Sequence, residues 1–257
     1  MTRFGALVRG VFRRDLVLLR RYPLDTLTNV FVIYLFFALA FFGGQTLENN
    51  PIADSADALI VGFFLFTLTT VIYVKLGNDI VMEARWGTLE QLYMTPFGFG
   101  TVVSIAAIGN LLLACVYSAL ILGLMMVSTG NFLAVDVVTV APLAILTLAS
   151  AMGLGFLLTG ISLLYKRILH VLQIFQIAFV AFIAAPVEQH EVLKLLPVSL
   201  GSHLVFESMV DGLRLWELPA SDLALLVVKA VAYLALGMGT LIYCARLARR
   251  RGKLGHY

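Results

Sequence analysis

The sequence predicts an all-α integral membrane protein with six transmembrane helices. Hydrophobic residues make up 61% of the 257 residues and charged residues 13%, whereas soluble domains are roughly 45–50% apolar and about 25% charged. The apolar residues form runs near the length of about 20 residues that a helix needs to cross the hydrocarbon core. Basic residues cluster at both ends of the chain, and an even number of spans places both ends on one side.

The N-terminal segment, residues 3–21, predicts an amphipathic helix that lies in the membrane interface. Its apolar residues recur at helical spacing, and its other positions include six arginines. A helix of this kind holds its arginines near anionic headgroups, and a simply solvated helix is the alternative. Pro23 ends this helix and turns the chain into the bilayer.

Six apolar runs follow and predict the spans, at residues 24–42, 58–74, 101–127, 137–164, 168–185 and 223–245. We expect the second span to continue as a helix through Lys75, Asp79 and Glu83. The third span is longer than a bilayer requires, which indicates a tilt or a projection. No low-complexity linker divides the chain, so residues 1–257 are predicted to form one domain.

Residues 186–221 form a segment between the last two spans. Its apolar pieces, 192–196 and 203–210, are too short to cross a membrane, and they suit short helices that lie at the outer leaflet or dip into it. Lysine and arginine are concentrated in the N-terminal segment, in the loops on the same side and in the C-terminal tail. The positive-inside rule therefore predicts a multi-pass protein of the inner or plasma membrane, with both termini in the cytoplasm.

A charged elbow, residues 79–96, lies between the second and third spans. Thr88 and Gln91 have the spacing of a capping box, in which each side chain bonds the backbone N–H of the other residue. Gly87 permits a break in the helix that descends from the second span, and Pro96 follows a short second helix. The sequence therefore predicts a bent lever at the cytoplasmic face.

The elbow resembles a family signature. Residues 83–92, EARWGTLEQL, followed by Thr95-Pro96, are similar to the signature E-x-x-x-G-T-L-E-x-L…T-P of type-2 ABC exporter permeases. These are membrane subunits of bacterial and archaeal systems that export drugs, lipid-linked glycans and similar molecules. The layout is also similar, with a basic interfacial helix, six spans, a long outer segment before the last span, and a basic tail.

The resemblance implies a non-catalytic subunit that forms the translocation path as a homodimer. A separate ABC ATP-binding subunit would hold ATP and Mg²⁺, and this chain would bind no cofactor or metal. The elbow would be the coupling helix, and its implied ATPase-coupling residues are Glu83, Arg85, Gly87, Thr88, Leu89, Glu90, Gln91 and Leu92. Lys166 and Arg167, between the fourth and fifth spans, would form a second cytoplasmic contact, and the outer segment would cap the exit path.

The sequence itself carries no P-loop, because its one Gly-Lys pair, Gly252-Lys253, has Leu247 where the first glycine of that motif belongs. The formal net charge of +3 gives no indication of a nucleic-acid partner. Membrane lipid, the ATP-binding subunit and a second permease copy are the expected partners.

A drug-like or lipid-like amphipathic substrate is expected, since Lys229 is the one charged residue deep in a predicted span. Export of a lipid-linked polysaccharide by the same mechanism is the alternative. A secondary transporter would need ionisable residues at mid-membrane. A membrane-embedded lipid transferase would need a convergent cluster of His, Asp or Glu.

Polar residues within the spans are the candidates for the substrate path: Asn110, Gln173, Gln176 and Lys229. For the first three, a hydrogen bond to another helix is the alternative. For Lys229 the favoured interpretation is snorkelling to the outer interface, and a contact with a polar group of a neighbouring helix is the alternative.

Two further patterns have mainly structural interpretations. Glu188, His190 and Glu191 match no usual metal-site spacing and are interpreted as a solvated loop. Ala151, Gly155 and Thr159 form a ladder of small residues on the fourth span, of the kind that permits close packing between helices.

Overall fold

In the computed structural model of the protein, the described residues are 23–44, 56–85, 94–164 and 169–250, together with positions 5, 9, 10, 13, 17 and 21. All regular structure in these residues is helical. The α-helices are α1 (Pro23–Gly44), α2 (Ala56–Arg85), α3 (Phe99–Thr129), α4 (Val137–Leu164), α5 (Leu169–Ile183), α6 (Ser199–Val210) and α7 (Ala220–Arg250). A short 3-10 helix, Glu191–Leu195, lies between α5 and α6.

Among the described residues, five helices are long and apolar enough to cross a membrane: α1, α2, α3, α4 and α7. They correspond to five of the predicted spans, and they make the chain a multi-pass helical membrane protein. α5 has 15 residues, fewer than the about 20 that a span requires. The fifth predicted span, at 168–185, therefore stays a prediction.

α2 confirms that the second span continues well beyond the predicted apolar run. It extends over 30 residues to Arg85 and includes Lys75, Asp79 and Glu83. α3 begins after Gly98 and ends at Thr129, and the following Gly130 adopts φ 75° and donates its N–H to the carbonyl of Met126 at 3.0 Å. A left-handed glycine in this position is a common helix C-terminus, because glycine alone takes that conformation without steric cost.

The centre of the bundle is formed by α2 and α4. In each of them 61% of the most apolar stretch is buried, against 17% in α1 and 28% in α3 and α7. α1 and α3 consequently present most of their apolar side chains outward, as expected for helices that face lipid or another membrane protein. The rings of Tyr73 on α2 and Phe179 on α5 are 5.1 Å apart in an edge-to-face arrangement, which packs α5 against the centre.

α4 makes its most extensive contact with α7, and glycines bring the two backbones together. A Cβ atom at Gly153 would overlap the carbonyl group of Tyr233, and a Cβ atom at Gly237 would overlap that of Gly153. At Gly160 an added Cβ would lie 2.8 Å from the Cα atom of Leu241. The two helices therefore touch backbone to backbone, as small residues permit in membrane bundles.

The predicted ladder Ala151, Gly155 and Thr159 is buried and serves packing, as interpreted from the sequence. It belongs to a second face of α4, however, where an added Cβ on Gly155 would lie 3.1 Å from the side chain of Leu76 on α2. α4 thus has small residues on two faces, one toward α2 and one toward α7.

Candidate functional site

The polar contacts of the bundle concentrate around the chain between α5 and α7, residues 184–219, which we call the 184–219 segment. It contains the 3-10 helix and α6, which confirms the prediction of short helices in its apolar pieces. α6 buries one face against α4 and also contacts α2 and α5. The segment is therefore packed between the long helices.

Thr147 and Ser150 of α4 contact the start of α6 and the residue before it. A Cβ atom at Gly201 would overlap the side chain of Thr147, and the backbone N–H of Val198 donates to Ser150 Oγ at 3.2 Å. Thr147 and Ser150 lie roughly 15–20 Å along the axis from the start of α4, at 1.5 Å per residue. The 184–219 segment thus reaches well into the bundle along α4.

Val198, directly before α6, is buried and has φ 71° and ψ −36°. A β-branched residue with positive φ is a conformational outlier that costs of order 1–3 kcal/mol. The bond from its N–H to Ser150 and the bond from Ser202 N–H to its carbonyl, at 2.8 Å, hold it in place. The turn into α6 is therefore a strained turn that its neighbours stabilise.

α7 binds the 3-10 helix through one polar face. Lys229 Nζ donates to the carbonyl oxygens of Lys194 and Leu196, both at 2.8 Å, and Tyr233 Oη donates to the carbonyl of Leu195 at 3.2 Å. Asp222 binds Lys194 Nζ at 3.0 and 3.2 Å. Residues spaced by seven and four positions share a helical face, so Asp222, Lys229 and Tyr233 act on one short stretch of chain.

The chemistry of this contact follows from the end of the 3-10 helix. The last carbonyl groups of a helix have no partner within the helix, and they form the negative end of its dipole. An ammonium group satisfies two such carbonyls at once, with charge-assisted hydrogen bonds that are stronger than neutral ones. Lys229 is therefore a structural anchor for the 184–219 segment.

The expectation that Lys229 snorkels to the outer interface is wrong. The residue is 5% exposed, and its ammonium group bonds carbonyls inside the protein. The alternative, a contact with a polar group of a neighbouring element, is the one that the structure shows. The reason is that the backbone carbonyls of Lys194 and Leu196 lie within reach of the ammonium group and offer it two hydrogen bonds.

A second polar connection joins α2 to α3. Asn110 Nδ2 donates to Asp79 Oδ2 at 3.1 Å, which confirms the interpretation of Asn110 as a residue that hydrogen-bonds another helix. On α5, Gln173 is exposed and Gln176 is half-buried. Asn110 bonds α2, whereas Lys229 bonds the end of the 3-10 helix, and the role of these residues in a substrate path stays a prediction.

The start of α4 is linked to the end of the 184–219 segment through one threonine. Thr139 Oγ1 donates to Asp136 Oδ2 at 2.6 Å and accepts from the backbone N–H of Leu215 at 3.1 Å. Asp136 also accepts from the N–H of Val138 at 3.2 Å, so it caps α4. The hydrogen bond from Thr139, with smaller contributions from Val138 and the charge of Arg214, lowers the pKa of Asp136 below its ordinary value.

Most of the predicted coupling residues lie outside the described part of the chain. Of that set, Glu83 and Arg85 are in the last turn of α2, and Glu83 is half-buried. Gly87 to Leu92, Lys166 and Arg167 are not among the described residues. Within residues 3–21, only positions 5, 9, 10, 13, 17 and 21 are described, and all six are helical, so the coupling helix, the second contact and the interfacial helix stay predictions.

Sequence reasoning missed the partners of Lys229 and the role of Ser150. The signal for the first was present, because Asp222, Lys229 and Tyr233 fall on one face of an otherwise apolar helix. Ser150 gave no signal, since a serine in an apolar run also bonds the carbonyl of its own helix, as Ser150 does with Thr147 at 2.7 Å. Comparisons with family models, with curated proteins and with solved structures gave no match to this chain.

Proposed function

We propose that the chain is the permease subunit of a type-2 ABC exporter, which forms the translocation path as a homodimer and is driven by a separate ATP-binding subunit. The observation that carries the proposal is the resemblance of residues 83–96 to the family signature. The first residues of that signature, Glu83 to Arg85, are the last turn of a 30-residue helix whose earlier part is long and apolar enough to span a membrane. A helix that continues a transmembrane span into the cytoplasm would transmit the movement of a cytoplasmic ATP-binding subunit to that span.

The contacts of α2 support a route by which such force reaches the path. Asp79 bonds Asn110 of α3, and Tyr73 and Leu76 lie against Gly155 of α4. α4 in turn receives the 184–219 segment. A displacement at the end of α2 would therefore move α3 and α4 together, and α4 would pass it to the 184–219 segment at the exit of the path.

The exposed faces of the bundle support a membrane subunit that pairs. Large apolar side chains are exposed along α1 and α3, among them Leu27, Phe31, Leu112 and Val116. Such faces suit lipid on one side and a second permease copy on the other. Both termini are proposed to lie in the cytoplasm, with the 184–219 segment on the outer side of the cell membrane.

The hydrogen bonds of Lys229 within the protein support an amphipathic substrate. Its ammonium group is bonded to two carbonyls and is buried, so it does not present a free charge to a substrate. A path lined mainly by apolar and small polar groups suits a drug-like or lipid-like molecule.

The test is reconstitution of the chain in liposomes with and without the ATP-binding subunit encoded by a neighbouring gene. We expect ATP-dependent movement of a fluorescent amphiphilic dye only when both subunits are present. Glu90→Arg is expected to abolish stimulated ATP hydrolysis while insertion is retained. Glu191→Arg, at an exposed glutamate of the 184–219 segment, is the matched control and is expected to behave as the wild type.

Three results would contradict the proposal. Dye movement by the chain alone under an ion gradient would indicate a secondary transporter, and chemical turnover of a lipid would indicate a transferase. Unchanged hydrolysis and transport in Glu90→Arg would remove the elbow as the coupling element.

A further inference from the structure

Three side chains of the 184–219 segment converge at its surface. Glu188 lies in the turn that follows α5, and His203 and Glu207 lie on α6. One ligand atom from each residue lies within 4.8 Å of the other two. His203 Nε2 is 3.5 Å from Glu207 Oε1 and 3.8 Å from Glu188 Oε1.

The position of the pair on α6 is set by packing. His203 and Glu207 are four residues apart and therefore neighbours on one helical face. Val205, on the opposite side of the helix, and Leu204, on the flank between the two faces, are fully buried, which fixes the rotation of the helix. The side chains of His203 and Glu207 are only 21% and 24% exposed, whereas that of Glu188 is 77% exposed.

The distances from His203 Nε2 to the two carboxylates are compatible with three ligands around a common point. An N–H···O hydrogen bond has a length of about 2.7–3.2 Å, and both separations from His203 Nε2 exceed it. Two ligands of a tetrahedral zinc ion, with bonds of about 2.0–2.1 Å, lie about 3.4 Å apart. His203 Nε2 therefore lies near this spacing from an oxygen of each glutamate, and all three ligand atoms lie within 4.8 Å of one another.

The donor set selects the class of ion. An imidazole with two carboxylates is a set that Zn²⁺ accepts, with a water molecule in the fourth position. Mg²⁺ and Ca²⁺ instead prefer shells made of oxygen atoms, usually six or more. Imidazole nitrogen favours zinc and its neighbours among the transition metals.

We propose that Glu188, His203 and Glu207 form a binding site for a divalent cation of the Zn²⁺ class. The ion would join the turn at Glu188 to α6, and so fasten the exposed side of the 184–219 segment in addition to the contacts of Lys229 on its buried side. The site is separate from the predicted coupling residues, and it stands whether or not the chain is an exporter permease.

The experiment is calorimetric titration of the full-length chain in detergent with ZnCl₂, after purification on a tag that contains no histidine. We expect saturable binding of one Zn²⁺ per chain and no comparable binding of Mg²⁺. His203→Ala and Glu207→Gln are each expected to raise the Kd by more than about tenfold, because even loss of a residue that only orients a ligand costs 10–100-fold. His190→Ala is the matched control, at an exposed histidine of the same segment, and is expected to keep the wild-type Kd.

Thermal unfolding gives a second readout that does not depend on heats of binding. Zn²⁺ is expected to raise the Tm of the wild type and of His190→Ala, and to leave those of His203→Ala and Glu207→Gln unchanged, because a ligand stabilises only the state that binds it. Glu188→Gln, at an exposed position, tests the site if the α6 variants do not fold. Absence of zinc binding, wild-type affinity in His203→Ala or Glu207→Gln, or equal loss in His190→Ala would overturn the proposal.

Discussion

α4 contacts α7 and α6 in two different ways. Against α7, Gly153 and Gly237 bring the backbones into direct contact, so that neither position has room for a Cβ atom. Against α6, Gly201 packs closely on the side chain of Thr147, and in addition Ser150 accepts the N–H of Val198 at 3.2 Å. The first contact depends on shape alone, whereas the second also depends on a hydrogen bond to a strained turn.

The difference indicates which parts of the bundle move together. A contact between backbones has no second arrangement short of separating the helices, because interiors are closely packed and deform little. A strained turn held by a few hydrogen bonds has an alternative, since the strain is released when those bonds open. α4 and α7 are therefore expected to act as one body, and the 184–219 segment is the part whose attachment to that body changes.

The largest expected effect comes from filling the contact between α4 and α7. Gly153→Ala places a methyl group on the carbonyl of Tyr233 and forces the helices apart, at a cost near the upper end of the about 1–3 kcal/mol typical of overpacking. Gly123→Ala is the matched control, because nothing lies within 4 Å of that interior position of α3. There alanine is expected to stabilise the helix by about 0.5–1 kcal/mol.

The two substitutions thus have opposite expected signs, and the measurement is the Tm of each purified variant in the same detergent. If Gly153→Ala had the Tm of the wild type or a higher one, the backbone contact would not be the rigid element of the fold.

The next largest effect is expected from the hydrogen bonds that hold the 184–219 segment against α7. Lys229→Met removes a charged donor from two carbonyls and is expected to cost about 1.5–3 kcal/mol, whereas Tyr233→Phe removes one neutral bond and is expected to cost about 0.5–1.5 kcal/mol. Hydrogen exchange of the amides at 191–198 is the measurement, since it reports opening of the 184–219 segment locally.

We expect faster exchange there in Lys229→Met than in Tyr233→Phe, with little change in α4 and α7. Equal acceleration throughout α4 would show that the segment and the helix pair open as one unit, against the division drawn from the two contacts.

The sequence predicted the long helices well because their signal is length and apolarity, and both are local. The continuation of α2 to Arg85 followed from charged residues placed directly after an apolar run. The faces of α4 did not follow, since Gly153 and Gly155 lie in a helix that is apolar on every side. No hydrophobic periodicity distinguishes the glycine that meets α7 from the one that meets α2.

The sequence places Asp222, Lys229 and Tyr233 on one face of α7, but it does not identify the acceptors of Lys229. Its acceptors are backbone carbonyls more than 30 residues away, and every residue has a carbonyl. A lysine within a predicted span is expected to snorkel, because water is the partner that the sequence implies. The fold instead brings backbone carbonyls to the lysine. Contacts between distant parts of the chain also explain why Glu188 lies beside His203 of α6, although the sequence suggested His190 and Glu191 as its neighbours.

Ser150→Ala isolates the hydrogen bond that holds the strained turn. The N–H of Val198 would lose its acceptor in a buried site, at a cost of about 1–3 kcal/mol. Ser162→Ala is the matched control, because Ser162 is buried in the same helix and bonds the carbonyl of Thr159 at 2.6 Å, as Ser150 bonds that of Thr147. The difference in Tm between the variants measures the bond to Val198, and equal values would mean that this bond contributes nothing to holding the turn.

The smallest effect is a pH dependence at the other end of the contact between α4 and the 184–219 segment. The hydrogen bond from Thr139, together with Val138 N–H and Arg214, lowers the pKa of Asp136 in the folded chain. A lowered folded pKa means that the ionised form stabilises the fold; this contribution is complete above the unfolded value of about 3.9 and is lost as the pH falls through the folded value.

Asparagine caps a helix about as well as aspartate but carries no charge, so Asp136→Asn is expected to lower the Tm slightly at neutral pH and to flatten its decline in acid. Asp211→Asn, at an exposed aspartate of the 184–219 segment, is the control, and its Tm is expected to decline in acid as that of the wild type does. An acid decline in Asp136→Asn that matched the wild type would show that the charge at the start of α4 does not help hold the 184–219 segment, and would leave the buried polar contacts alone in that role.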